Sequence, residues 1–252
     1  VARLVRAWES PPVTPFFPKW TNLVPTALVA GATGGLITVI AIVWYYFTPS
    51  YWEVGYMPDQ PIAYNHQLHA GTLGIDCRYC HSDVEDSKHA NVPSPNVCMN
   101  CHTVTDDKSG YLAKAMTQDG TSASPHWQSA DLSRLREAFQ AADAVEWDRI
   151  HKLPDYAHFQ HAAHINAGVS CYSCHSRIDQ MPVVHQTQPL SMGWCLECHR
   201  APENHLVDTT QVRVTDLASV ERLLSQPDYA QTTGLELASK VNPPENCGAC
   251  HY

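Results

Sequence analysis

The chain has 252 residues, enough for one or two ordinary domains, yet it holds only five phenylalanines against 18 prolines, and charged residues are 16% of the total. A composition so poor in large apolar and charged groups does not support an all-side-chain core of ordinary size. The formal net charge of -9 argues against a nucleic-acid binder and against a basic membrane-surface patch, and favours a positively charged or directly docked protein partner.

The first element is an uncharged run from Val24 to Phe47, 24 residues long, which predicts a helix crossing the bilayer over residues 24–47. A signal peptide has a shorter apolar stretch and ends in a small-residue cleavage site. Here Trp44, Tyr45 and Tyr46 close the run, with Phe16, Phe17 and Trp20 at its other end, as aromatic belts do at the two interfaces. Arg3, Arg6 and Lys19 precede the span, and no Lys or Arg follows it until Arg78. The positive-inside rule therefore places residues 1–23 in the cytoplasm and residues 48–252 in the periplasm, across a bacterial inner (cytoplasmic) membrane crossed once. Gly31 and Gly35, with Ala32 and Gly34 beside them, make a small-residue face suited to close approach by a partner's helix. Five prolines from Ser10 to Pro25 predict an extended approach to the span.

All ten cysteines fall into five C-x-x-C pairs, each followed at once by histidine: Cys77 and Cys80 with His81, Cys98 and Cys101 with His102, Cys171 and Cys174 with His175, Cys195 and Cys198 with His199, Cys247 and Cys250 with His251. Zinc knuckles and disulfide frameworks also use paired cysteines, but neither explains the histidines. Histidine is about 6% of the chain, so five such coincidences would arise by chance roughly once in a million. The pattern is that of five covalently bound c-type haems, each tethered by two thioether bonds and ligated on its proximal side by the adjoining histidine. Haem attachment on the outer side of the bacterial membrane agrees with the predicted topology.

The remaining organisation is an imperfect duplication. His66 and His69 form an H-x-x-H upstream of the first motif; His161 and His164 form another upstream of the third. A second motif follows in each half, Cys98 standing 21 residues after Cys77 and Cys195 standing 24 after Cys171. The haem-pair repeats thus span about 61–102 and 156–205, separated by a helical insertion at 103–155 and followed by a fifth-haem segment at 206–252. Leu132, Leu135, Phe139 and Ala142 predict one amphipathic helix; Leu217, Val220, Leu223 and Leu224 predict another, with Thr215 as its cap. The fold class is a class III-like multihaem cytochrome c, mostly loops and short helices around five haems, plus one N-terminal transmembrane helix.

What such haems do depends on the sixth ligand: two strong ligands make an electron carrier, whereas an open position binds a small molecule. Ten histidines lie outside the motifs. His66, His69, His161 and His164 are the leading distal ligands; His89 and His185 join them because they stand nine and ten residues before the second motif of each half. His126, His151, His158 and His205 are reserves, and Met57, Met181 and Met192 are the alternatives for a His/Met site.

At these residues the sequence resembles the pentahaem, membrane-anchored cytochrome c subunit of alternative complex III, a bacterial quinol oxidoreductase. The resemblance runs from the anchor to His205 and rests on Pro61-Ile62-Ala63-Tyr64-Asn65-His66-Gln67-Leu68-His69-Ala70-Gly71, Gly74-Ile75-Asp76-Cys77-Arg78-Tyr79-Cys80-His81, and Gly193-Trp194-Cys195-Leu196-Glu197-Cys198-His199-Arg200. It implies an electron wire that is not an enzyme on its own. The implied partners are an iron-sulfur subunit related to molybdopterin oxidoreductases, integral membrane subunits that bind quinol, and a monohaem cytochrome c. Two other readings compete. Pentahaem nitrite reductases keep one open catalytic haem, but they replace one motif histidine by lysine, and here all five motifs end in histidine. Anchored tetrahaem quinol dehydrogenases share the single helix but differ in haem number.

Overall fold

The computed structural model describes residues 16–48, 51, 53–102 and 129–251. It divides the chain into two units, Val1–Thr48 and Pro49–Tyr252.

In the first unit a single turn, Lys19–Asn22, leads into α1, Leu23–Tyr46. Pro25 lies in the first turn of α1, where a helix has no use for its missing N–H. The predicted extended approach therefore ends before Lys19, and residues 10–15 lie outside the described part. Twenty-four helical residues rise about 36 Å, enough for a hydrocarbon layer of about 30 Å. None of α1 is buried, and its Leu, Ile and Val side chains are exposed on every side. The core helix of a soluble unit would bury a stripe. Thus α1 is long and apolar enough to cross a membrane. A Cβ built on Gly31, Gly34 or Gly35 would meet nothing within 4 Å, so the small-residue face is uncovered.

The second unit is built from short helices and turns. Among the described residues it has no strand, only the paired bridges Ala157 with His251 and Val169 with Leu206. In chain order its elements are a π-helical turn Gln67–Thr72, α2 Cys77–Cys80, α3 Pro95–His102, α4 Ala130–Ala141, α5 His161–Asn166, α6 Cys171–His175, α7 Met192–Arg200, α8 Leu217–Leu224, a second π-helical turn Ala230–Gly234 running into α9 Leu235–Ala238, and α10 Cys247–Cys250.

Helices of four or five residues cannot sustain themselves, because nucleation costs more than one or two backbone bonds return. Local capping supplies part of the difference. The residue immediately before α2, α6, α7 and α10 is Asp76, Ser170, Ser191 and Asn246, and each accepts a hydrogen bond from a first-turn N–H, those of Arg78, Tyr172, Trp194 and Ala249. Ser170 is also buried, and its hydroxyl donates to Val214 O at 2.6 Å, tying α6 to the later chain.

Side-chain cores are small. Ile62, Met99, Leu132 and Leu135 form one cluster, which seats α4 on α3 with help from Val145 and Trp147. Val207, Val214 and Val220 form another, covered by Ile165, Tyr172, Leu223 and Leu224, which seats α8 near α5 and α6. The two predicted amphipathic helices are therefore present as packing plates. Their details differ from the sequence reading. Phe139 is 42% exposed, and Ala142 has left the helix for the left-handed region at φ 53°. Asp216, not Thr215, caps α8 by accepting from Ser219 N; Thr215 instead donates to Asp76 Oδ2 at 2.8 Å. Besides Pro95, only twelve apolar side chains are buried among the described residues. That is too few to fill a unit of this length, and flat apolar groups between the short helices would make up the deficit.

Candidate haem centres

One turn of helix brings residues i and i+3 to one face. Each short motif helix therefore presents both cysteines to the same edge, with the histidine next along the chain. No two of the ten cysteines are joined in a disulfide.

The H-x-x-H segments are built alike. The Tyr64 ring stands edge-on to His66 at 4.8 Å between centroids and stacks on His69 at 4.5 Å. The Phe159 ring stands edge-on to His161 at 4.8 Å and lies tilted against His164 at 4.6 Å. His69 Nδ1 donates to Asn65 O, and His164 Nδ1 donates to Gln160 O, both at 2.8 Å. These bonds fix each ring and leave Nε2 as the nitrogen available to a metal. The His69 ring lies 6.1 Å from that of His102, and the His164 ring 6.1 Å from that of His199. Two imidazoles on opposite sides of one metal, each bonded at about 2.0–2.1 Å, have centroids roughly 6 Å apart. Both pairs meet that spacing, one in each half of the chain.

The other two histidines of these segments lie toward the first and third motifs. Burial, helped by the neighbouring imidazoles of His81 and His69, lowers the His66 pKa to about 4. Burial likewise lowers His161, with His81 and His89 nearby. His164 is lowered by burial as well, with His199 and His161 nearby. His175 is lowest, at about 3, through burial and then the neighbouring His151 and His161. All are neutral at physiological pH, which is the form that ligates iron.

Hydrogen bonds orient the motif histidines. His81 Nδ1 donates to Asn91 O at 2.6 Å, and Asn91 turns its carbonyl inward by adopting φ 69°, a conformation asparagine tolerates. His199 Nδ1 donates to Pro244 O at 2.7 Å. His175 has a different partner: its Nδ1 lies 3.3 Å from His151 Nε2, and the two rings meet edge-on at 4.4 Å. His151, which sequence reasoning keeps only in reserve, thus lies directly against the histidine of the third motif. It lies in the insertion between the halves, where the duplication offers no counterpart to reveal it.

The remaining candidates scatter. His89 is exposed beside His161, and His185 is partly buried beside His151. The chain at 156–158 runs along the fifth motif: His158 N donates to Cys250 O at 2.8 Å, and the Tyr156 ring lies 5.8 Å from that of His251. His205 is partly buried, and burial lowers its pKa. Met181 is buried, while Met57 and Met192 are exposed. His126 lies outside the described residues.

The paired cysteines, the neutral imidazoles, the 6.1 Å ring gaps and the sparse side-chain core all fit haem. Two family models match the second unit: the class III cytochrome C family over residues 51–131, and cytochrome c7 and related cytochrome c over residues 157–252. The chain is a multihaem c-type cytochrome with class III-type domains and covalently bound haem c. In sequence it is similar to the multihaem cytochrome c subunit of menaquinone reductase from Nitratidesulfovibrio vulgaris (strain Hildenborough), with 26% identity over 192 residues, 68% of this chain and 80% of that one.

Proposed function

We propose that this chain is the membrane-anchored electron wire of a quinol:acceptor oxidoreductase of the alternative complex III type. In this reading the ten motif cysteines attach five haems, and His81, His102, His175, His199 and His251 ligate their irons. His69 and His164 would share an iron with His102 and His199 respectively. His66 and His161 would serve the first and third motifs, with His89 beside His161 and His185 beside His151. Bound haem would supply the one-electron chemistry. The protein holds imidazoles at fixed spacing, and the hydrogen bonds to Asn65, Gln160, Asn91 and Pro244 orient them and raise their basicity.

The observation that carries the reading is the 6.1 Å gap at both ring pairs, which suits closed irons that pass electrons and do not bind substrate. The apolar α1 and the similarity to a menaquinone reductase subunit connect it to quinol chemistry at a membrane. The partners are then integral membrane subunits that bind quinol, an iron-sulfur subunit related to molybdopterin oxidoreductases, and a monohaem cytochrome c. The uncovered glycine face of α1 suits a helix of such a membrane subunit. Residues 1–23 lie in the cytoplasm and the haem unit in the periplasm.

The relative's name favours a second direction of flow, in which electrons reach menaquinone through the haems. Mild detergent extraction tests both. Haem should travel with several larger membrane subunits, and menaquinol should reduce it within that assembly. Reduction of menaquinone by the pre-reduced assembly, without the reverse reaction, would select the second direction. Isolation as a small homodimer that menaquinol itself reduces would replace both with a stand-alone dehydrogenase.

A further inference from the structure

The two halves of the haem unit dock on each other reciprocally. Gln67 N donates to Met181 O at 3.1 Å, and Ala162 N donates to Ser87 O at 3.0 Å. Ala162 stands 95 residues after Gln67, as His161 does after His66, and Met181 stands 94 after Ser87, as Cys171 does after Cys77. The same bond is therefore made twice with the halves exchanged. A second contact repeats in the same way. Asn166 Nδ2 donates to Glu85 O at 3.0 Å, and at the corresponding place Gly71 lies so close to Asp179 that an added Cβ would collide with its carbonyl oxygen. Contacts that recur with partners exchanged define an isologous, two-fold interface. On such an axis a residue meets its own counterpart, and the Cys77 and Cys171 side chains are neighbours.

Outward from that contact each half continues similarly. Asn100 Nδ2 of the second motif donates to Tyr79 Oη of the first at 3.0 Å, and Cys80 neighbours Cys98 and Cys101. In the other half Cys174 neighbours Cys198 and Cys195. The fifth motif extends that side only: Cys195 neighbours Cys250, His199 Nδ1 bonds to Pro244 O, and Arg200 pairs with Glu245 at 3.0 Å. Of the ten cysteines, Cys101 and Cys247 are exposed and the other eight are not, so exposure falls at the two ends of this series.

We propose that the five haem-binding motifs lie in the spatial order second, first, third, fourth, fifth, about a pseudo-two-fold axis between the first and third, and that redox proteins dock at the second and fifth. This rests on the wire reading and deepens it by naming the ends. Chain order is not spatial order, because the first motif lies between the second and the third.

Cryo-electron microscopy of the complete, haem-loaded protein in its membrane assembly tests the order, since each iron is identified by its own motif. The expected path of nearest-neighbour irons runs through His102, His81, His175, His199 and His251, with any partner redox centre nearest His102 or His251. A path with the His102 iron between those of His81 and His175 would overturn the proposal, as would a partner centre nearest His81 or His175. Iron positions are read independently of which quinone reacts, so failure here is distinct from failure of the quinol reading, which menaquinol reduction tests.

Discussion

A histidine becomes a dependable iron ligand when its ring is held by its second nitrogen and faces another imidazole across the metal site, and His69 and His164 combine a fixed Nδ1 with a motif ring 6.1 Å away. His69→Ala or His164→Ala should each open one iron, converting about one-fifth of the haem signal to high spin in electron paramagnetic resonance while haem attachment persists. Unchanged spectra in both variants would remove these two residues from the ligand set. Asp76 is the most strongly perturbed carboxylate. Hydrogen bonds from the Arg78 guanidinium, then from Arg78 N–H and the Thr215 hydroxyl, outweigh its burial and lower its pKa to about 2. Its folded value lies below the unfolded value of about 3.9, so its stabilisation is complete at neutral pH and is lost as the pH falls from about 4 through 2. Asp76→Asn keeps an acceptor for the cap but removes the charge. Thermal melts should show about 1–2 kcal/mol less stability at pH 7, with the difference from wild type shrinking below about pH 4 and vanishing only below about pH 2.

At the scale of elements, stability resides in capped single turns and two small apolar plates. Leu135 is buried against Met99 and Ile62 beside the second motif, so Leu135→Ala should cost about 2–4 kcal/mol in thermal or denaturant unfolding. Ala142 ends α4 in the left-handed region, where a Cβ is unfavourable and glycine is not. Ala142→Gly should therefore stabilise the protein by about 1 kcal/mol, read as a raised unfolding midpoint. Both amphipathic helices are legible in their apolar spacing, because packing faces follow the helical period. Their ends are less legible. Asp216 caps α8 because a tertiary partner, Asp76, takes the Thr215 hydroxyl, and a partner 139 residues away leaves no local trace. Proline spacing alone carries the extended approach as far as Pro25, yet the first turn of a helix accepts proline, so α1 begins at Leu23.

For the whole molecule, covalent haem is legible in the sequence alone, since cysteine pairs with an adjoining histidine are local and chemically specific. The apolar span is equally plain. How the halves meet is not, because the exchanged bonds from Gln67 and Ala162 are made by backbone groups that every residue carries. The partner of His175 also depends on tertiary approach, through a residue in the unrepeated insertion. The division into two units implies that the apolar helix can be separated from the haem unit. A chain beginning at residue 49, exported by a cleavable signal, should carry its full haem complement in the soluble fraction, measured by pyridine haemochrome, and should no longer be reduced by menaquinol. Retained reduction by menaquinol would place quinol oxidation on the haem unit itself and not on membrane partners. Closure of every iron is the property on which the proposed electron-wire function depends. Low-temperature electron paramagnetic resonance of the oxidised protein, gently extracted and quantified against total haem, should find essentially all ferric haem low-spin; a high-spin component of one-fifth of the haem would mean that one iron is open to substrate, and would contradict the wire.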